Sequence, residues 1–348
     1  MANYIKLFED ETAYNEFKGS PAYITPNVSY CSGGSNSLFY NPIEKHDYSK
    51  DYFTTVAKSD GFISFSGSST GNKLSYSTDN GTTWSTAIQK PSINVKTGDK
   101  VLWKGYCRPN SYYNIIGKFI NTATFDVEGN VMSLLFDNNF KGQTSLETIY
   151  YAFNRLFADN TKIISAENLS LPATTLANEC YRSMFIGCTS LTTAPELPAT
   201  ELAQSCYQQM FEGCTSMTTA TELPATKLAQ SCYSNMFSGC TSLTTAPELP
   251  AETLAQECYA KMFFGCTSLT TAPVLPATTL VYNCYQSMFR GCTSLNSITC
   301  LATDISAKYC TTDWVNGVAS EGTFTKAASM TSWTTGDSGI PDGWTVNS

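Results

Sequence analysis

Cys180, Cys206, Cys232, Cys258 and Cys284 stand 26 residues apart, and Cys188, Cys214, Cys240, Cys266 and Cys292 keep the same step. A fixed period of this length constrains a fold more than any composition does, because each unit must bury its apolar face against the next. One unit reads LAxxCYxxMFxGCTSLTTAPELPAT. Within it Leu202, Cys206 and Met210 recur at i, i+4 and i+8, as do Ala203, Tyr207 and Phe211. Together they predict one apolar stripe on a helix of about three turns. Thr200 is placed to cap its start, and Gly213 sits where a left-handed residue would end it. Met217 then opens a short extended segment, a leucine in the sister copies (Leu191, Leu243, Leu269), and the prolines beyond stop its pairing.

Helix plus short strand at 26 residues predicts a βα solenoid of the leucine-rich type. The segment from Tyr150 to Pro172 follows the same pattern with a two-residue insertion, putting Ala152 and Asn160 where the cysteines would be. At the far end Cys310 keeps the step, Trp314 replaces the methionine and Val318 the second cysteine. Degenerate end units are what capping requires. The expectation is seven helical units, five regular and two terminal.

These units resemble the BspA-like leucine-rich repeat family, whose members carry the pattern AFxxCxxLxxI.LP; the match covers about residues 148–318. The resemblance implies a non-enzymatic surface or secreted protein of an anaerobic or mucosal microbe, engaged in adhesion to host matrix or to other cells. The chain departs from the family in its 26-residue unit, its added helical cysteine and the lack of an export signal. The opening stretch MANYIKLFEDETAYNEFKGSPAYITPNVSYC resembles, more loosely, the starts of uncharacterised proteins of gut anaerobes and their phages. That implies a tail-associated virion component, assembled in the cytoplasm without a signal peptide.

The ten repeat cysteines read as a structural ladder of buried thiols. Ala, Asn and Val take their places in the end units, so the positions ask for modest size rather than reactivity. The alternatives are disulfides and metal. Pairing neighbours down a column of five must leave one out, two cysteines eight apart lie too far apart to bridge across a helix end, and no CxxC pair of the kind metal sites favour occurs. Fourteen cysteines in a chain made in a reducing compartment would ordinarily be thiols.

Residues 51–142 change character to short alternating runs such as GFISFSG and KVLWKGYC between Gly, Asn and Asp turns, predicting an antiparallel β-sandwich-like domain. With residues 1–50 as an N-terminal segment, 143–320 as the solenoid and 321–348 as a capping segment, the fold class expected is α+β and multidomain. Ser77 to Trp84 is similar to the Asp-box of sialidases, S-x-D-x-G-x-x-W. Its residues account for a hairpin turn: Asp79 and Gly81 form it, Ser77 and Asp79 bond its backbone, and Trp84 packs beneath. Trp333 and Trp344 are expected to cover the open end of the solenoid, a sugar-stacking role being the lesser alternative.

No catalytic, cofactor or metal residues are assigned. The lone histidine, His46, has no paired cysteine, serine or metal cluster to make it a catalytic candidate. No P-loop, GxGxxG or HExxH occurs. Glu196, Glu222 and Glu248 form a column in equivalent surroundings, whereas acid and base catalysts need different ones. A glycan-cleaving enzyme drawing carboxylates from distant segments is therefore the least favoured function. The formal charge of −8 and the absence of Lys/Arg clusters argue against nucleic acid, and no apolar run reaches membrane-spanning length.

The candidate recognition surface is the strand side, which hardly changes between copies. It comprises Thr192, Thr193, Glu196, Thr218, Thr219, Glu222, Thr244, Thr245, Glu248, Thr270 and Thr271. Such a low-charge face suits an extracellular glycan or protein, though recent duplication of the units would also leave it uniform. The sequence thus predicts a binding or adhesion protein on a bacterial cell surface or, alternatively, on a virion, and leaves homo-oligomerisation open.

Overall fold

The computed structural model describes residues 6–7, 38–39, 47, 50–66, 73–87, 91–107, 109 and 116–348. The chain forms two compact units, Met1–Asp47 and Tyr48–Ser348. In the first, β1 (Lys6–Leu7) pairs antiparallel with β2 (Leu38–Phe39). His46 and Cys31 lie outside the described residues.

The second unit begins with eight short strands: β3 (Phe53–Ala57), β4 (Gly61–Ser66), β5 (Leu74–Ser77), β6 (Ser85–Thr86), β7 (Ile93–Val95), β8 (Lys100–Gly105), β9 (Lys118–Asn121) and β10 (Phe125–Asn130). They form two open sheets. One runs β10-β3-β8-β5-β6 and is extended beyond β10 by β11 (Asn168–Ser170); the other runs β7-β4-β9. Alternation sets Phe53 of β3, Trp103 of β8 and Phe125 of β10 inward, against Phe65 and Phe119 of the smaller sheet. Phe119 lies 5.3 Å from Trp103 and 5.6 Å from Phe53, ring centre to ring centre. The Trp103 indole N–H is satisfied inside this core by Thr55 Oγ1 at 3.1 Å.

β11 belongs to the repeat region and pairs in parallel with β10, Gly129 opposite Leu169. Phe125 N–H donates to Lys162 O, Ile164 N–H to Phe125 O, and Val127 N–H to Ser165 O. The sheet edge is therefore the template on which the first coil of the repeat is laid, and the segments expected as separate domains share one backbone ladder.

From there the repeats stack as 26-residue coils, but they are not helical. The expected α+β class with a leucine-rich βα solenoid is overturned: regular structure among the described residues is almost all strand, and the single α-helix is α1 (Ser133–Phe136), outside the repeats. Where helices were expected, backbone donors alternate between two targets. Cys180, Arg182, Met184, Ile186 and Cys188 donate to the carbonyl three residues back, closing successive β-turns. Glu179, Tyr181, Ser183, Phe185 and Gly187 donate instead to the next coil, at Gln204, Cys206, Gln208, Met210 and Glu212. An α-helix would bond i to i−4 throughout and leave nothing to give a neighbour.

The conformation follows a period of four. Glu179, Ser183 and Gly187 have φ of 57°, 53° and 70°, and the same three places are left-handed in every coil, as at Ser205, Gln209 and Gly213. Gly213 is thus not the stop of a helix but the third left-handed residue in a series. Because the path repeats every four residues, side chains four apart align in true columns; on an α-helix they would drift by about 40° per step. Equivalent side chains of successive coils, 26 residues apart, then meet as stacked rings: Tyr207 on Tyr233 at 5.9 Å and 10°, Phe211 on Phe237 at 5.7 Å and 8°. The extended segment expected after Met217 is reduced to single parallel bridges, Thr219 to Thr245 and Thr271 to Ser297.

Both ends are closed. In the first coil Tyr151, Arg155 and Asp159 carry the left-handed φ. The two-residue insertion therefore places Ala152 and Asn160 in the cysteine columns, and Phe153 stacks on Tyr181 at 5.5 Å. At the other end β12 (Ser297–Cys300), β13 (Thr323–Lys326) and β14 (Thr345–Asn347) form a parallel sheet. Trp333 stacks on Trp314 at 5.6 Å, and the Trp344 N–H bonds Ala319 O at 2.8 Å.

The sign of one substitution separates this ribbon of turns from a helix. Lys261 is exposed and has φ of 55°. Lys261→Gly removes a left-handed non-glycine residue, so it is expected to stabilise the fold by about 0.5 to 1 kcal/mol after the entropy of glycine is subtracted. In a helix the same change would destabilise by about 1 kcal/mol. Denaturant titration of the two proteins reads the sign directly.

Candidate functional site

The cysteine columns face inward. All ten repeat cysteines are buried, and none is in a disulfide. The second column has a specific bonding role: Cys188 Sγ donates to Phe157 O at 3.1 Å, Cys214 to Phe185 O at 3.2 Å, Cys240 to Phe211 O at 3.1 Å, Cys266 to Phe237 O at 3.1 Å and Cys292 to Phe263 O at 2.9 Å. Each thiol thus ties its coil to a carbonyl of the coil below. Asn160, which takes the same place in the first coil, does so with an amide, from Nδ2 to Phe119 O at 3.4 Å and Asn121 Oδ1 at 2.7 Å. Six of the seven coils fill the column with a small donor, a property that size alone did not reveal; Val318, in the last coil, has none.

Burial strips the thiols of reactivity. Desolvation raises Cys180, Cys188, Cys232, Cys240, Cys284 and Cys292 from 9.0 to about 12, and lifts Cys206, Cys214, Cys258 and Cys266 well above the ordinary value. Thiolate is the nucleophile and the metal ligand, so these sulfurs are poor at either task. Among the described residues no group of three or more His, Cys, Asp or Glu side chains is placed to hold a metal ion.

The predicted Thr/Glu face divides into parts. Thr192 and Thr244 are exposed, but their hydroxyls donate to Ile164 O at 2.9 Å and Thr218 O at 3.1 Å, so they serve the stack. Thr193 is half-buried and shares a hydrogen bond with Ser165. Thr218, Thr219, Thr245, Thr270 and Thr271 are exposed, as are Glu196, Glu222 and Glu248. Val274, 53% exposed, stands in the glutamate column on the following coil, which ends the acidic row.

Two open grooves lie between successive coils on this face. One, of about 440 Å³, is lined by Glu196, Leu197, Pro198, Ala220, Thr221, Glu222 and Pro224. The other, of about 520 Å³, is lined by Thr219, Ala220, Glu222, Leu223, Pro224, Thr245, Ala246, Pro247, Glu248 and Pro250. Their cause is local. The prolines have no N–H to donate across the gap; there the Thr221 hydroxyl bonds Pro195 O at 2.8 Å, and backbone cross-coil bonding resumes after them, at Thr226 and Lys227 N–H to Thr200 O and Leu202 N–H to Lys227 O. The grooves bring together Glu196, Thr219, Glu222, Thr245 and Glu248 of the predicted face; Thr192, Thr193, Thr218, Thr244, Thr270 and Thr271 are not among their lining residues.

The Asp-box forms the hairpin between β5 and β6. Ser77 Oγ accepts from Gly81 N–H at 2.9 Å, and Asp79 accepts from the Thr83 hydroxyl at 2.6 Å and the Thr83 N–H at 2.9 Å. The Thr83 side chain, then its backbone N–H, then Ser77 hold the Asp79 carboxyl down at about 2. Trp84 donates to Gly81 O at 3.1 Å and lies beneath Lys104 Nζ, 4.2 Å from the ring centre. Every one of these groups is used by the turn itself, and none is aimed at a ligand.

Comparison with protein-family models, curated proteins and solved structures gives no match. Among the described residues no helix is long and apolar enough to cross a membrane.

The thiol columns generate a pH dependence with a definite sign. A thiol whose pKa is raised on folding contributes stability that is complete below its unfolded value near 9 and is lost as pH rises toward the folded value near 12. Buried Tyr181, Tyr207, Tyr233, Tyr259 and Tyr285, raised by the same desolvation, act in the same direction. Stability measured by urea titration is expected to fall above pH 9 by up to about 1.4 kcal/mol per pH unit for each such thiol. A flat profile from pH 8 to 11 would contradict the buried ladder.

Proposed function

We propose that the chain is a non-enzymatic binding protein that holds an extracellular glycan or protein along the grooved face of its coil stack, on a cell surface or a virion. The observation that carries this proposal is the pair of adjacent grooves sharing Ala220, Glu222 and Pro224. Similar lining repeated from coil to coil suits an extended ligand that offers similar groups at regular intervals. The linings mix carboxylates and threonines with proline, alanine and leucine, of which Leu197 and Leu223 are buried: a few polar contacts beside apolar surface. The glutamates stand in equivalent surroundings, which favours binding over acid–base chemistry.

Ala220 borders both grooves, so a bulky side chain there blocks both at once. Screening the protein against immobilised glycans and matrix proteins is expected to find a ligand, and Ala220→Trp is expected to weaken its capture by about tenfold or more, the loss of roughly 1.4 kcal/mol, with the circular dichroism unchanged. Capture that is indifferent to Ala220→Trp would move recognition off this face.

A further inference from the structure

The turn ribbon carries a second surface that the grooves do not involve. Its register is explicit in the backbone: Tyr151 N–H donates to Asn178 O, Glu179 to Gln204 O, Ser205 to Gln230 O, Ser231 to Gln256 O and Glu257 to Tyr282 O. The residues whose carbonyls accept these bonds form one column, stepping by about 4.8 Å per coil, the spacing of paired backbones. All five are exposed. Asn178, Gln204, Gln230 and Gln256 are four consecutive amides, and Tyr282, 40% exposed, ends the run. Tyr150, 53% exposed, precedes Tyr151 and stands at the other end.

The fold does not demand this column. Other positions of the ribbon outside the stacked columns change character from coil to coil: Arg182, Gln208, Ser234 and Ala260 in one row, Ile186, Glu212, Ser238 and Phe264 in another, several of them half-buried or buried. Copies that have drifted so far at neighbouring positions have kept an amide here through four coils. Among the described residues no side-chain hydrogen bond occupies these four amides, so each offers both a donor and an acceptor to a ligand. Two tyrosines at the ends of an exposed row contribute flat, amphipathic rings of the kind that stack on sugars.

We propose that this column is a binding track for a linear, uncharged polysaccharide, whose hydroxyls bond the four amides and whose rings stack on Tyr282 and Tyr150. The step of the track is close to the length of one pyranose unit along such a chain. The four amides carry no charge, so the track offers nothing to compensate an acidic polymer approaching a protein of formal charge −8. A row one side chain wide is also too narrow for a second protein, which needs about 800 Å² from each partner.

Affinity electrophoresis of the intact chain through gels containing soluble β-glucan, mannan, galactan or polygalacturonate tests the track. At least one neutral polymer is expected to retard the protein, with polygalacturonate weaker. The exposed triple variant Gln204→Ala, Gln230→Ala, Gln256→Ala should lose about tenfold or more in affinity while keeping its circular dichroism and thermal midpoint. Tyr282→Ala should weaken retention as well. Ala220→Trp, which blocks only the grooves, should leave retention intact, so failure of the track and failure of the groove proposal are told apart. Retardation by no neutral polymer, equal retardation of the triple variant, preference for polygalacturonate, or loss on Ala220→Trp would each overturn it.

Discussion

The repeat region depends on a division of labour among backbone N–H groups: alternate residues close a turn within their own coil, and the residues between them bond the coil that follows. Buried peptide groups must be paired, and this division pairs them without helix or continuous strand. It requires a path that repeats every four residues, and so a left-handed residue in every turn. Glycine fills that place once in each coil after the first, at Gly187, Gly213, Gly239, Gly265, Gly291 and Gly317. Polar non-glycine residues such as Glu179, Ser183 and Asn235 fill the others at some cost in local strain. The cross-coil bonds and stacked rings offset that strain, and they do so only while neighbouring coils stay in register.

The cysteines follow from the same geometry. Side chains four apart in such a path point to one side and meet their equivalents on the next coil, so each inward position becomes a column of identical groups. A column close to the backbone has room for something small. In the second column it also has a carbonyl of the underlying coil within reach of a donor, which sulfur supplies in five coils and the Asn160 amide supplies at the base. Identical neighbours in a dry column cannot ionise together, which is why the thiols sit where their chemistry is suppressed.

Much of this was legible in the sequence, and the part that was not has a physical reason. The period, the degenerate end units, the two-residue insertion that sets Ala152 and Asn160 in the cysteine places, and the Asp-box hairpin all follow from spacing and residue type. The ribbon did not follow, because apolar residues at i, i+4 and i+8 mark a helix face and a four-residue turn path equally well over so few steps. What separates them is the sign of φ at residues such as Ser205 and Gln209, and a polar residue does not announce a left-handed conformation as glycine does. The candidate face was partly legible: the repeated threonines pointed to it, but Thr192 and Thr244 prove to bond the scaffold. The amide column was missed because drifting outward positions read as solvated surface. Its signal was the one position among them that kept its chemistry.

Recognition on such a stack separates cleanly from its architecture, since inward columns fix the coil and outward positions are free to carry a ligand's complement. That separation rests on the turn-built coil, and far-UV circular dichroism tests the coil most directly. The spectrum should be that of strands and turns, without the paired minima of α-helix. Strong helical minima, as seven helices of about three turns each would give, would contradict the alternating hydrogen-bond scheme and with it the register of both proposed surfaces.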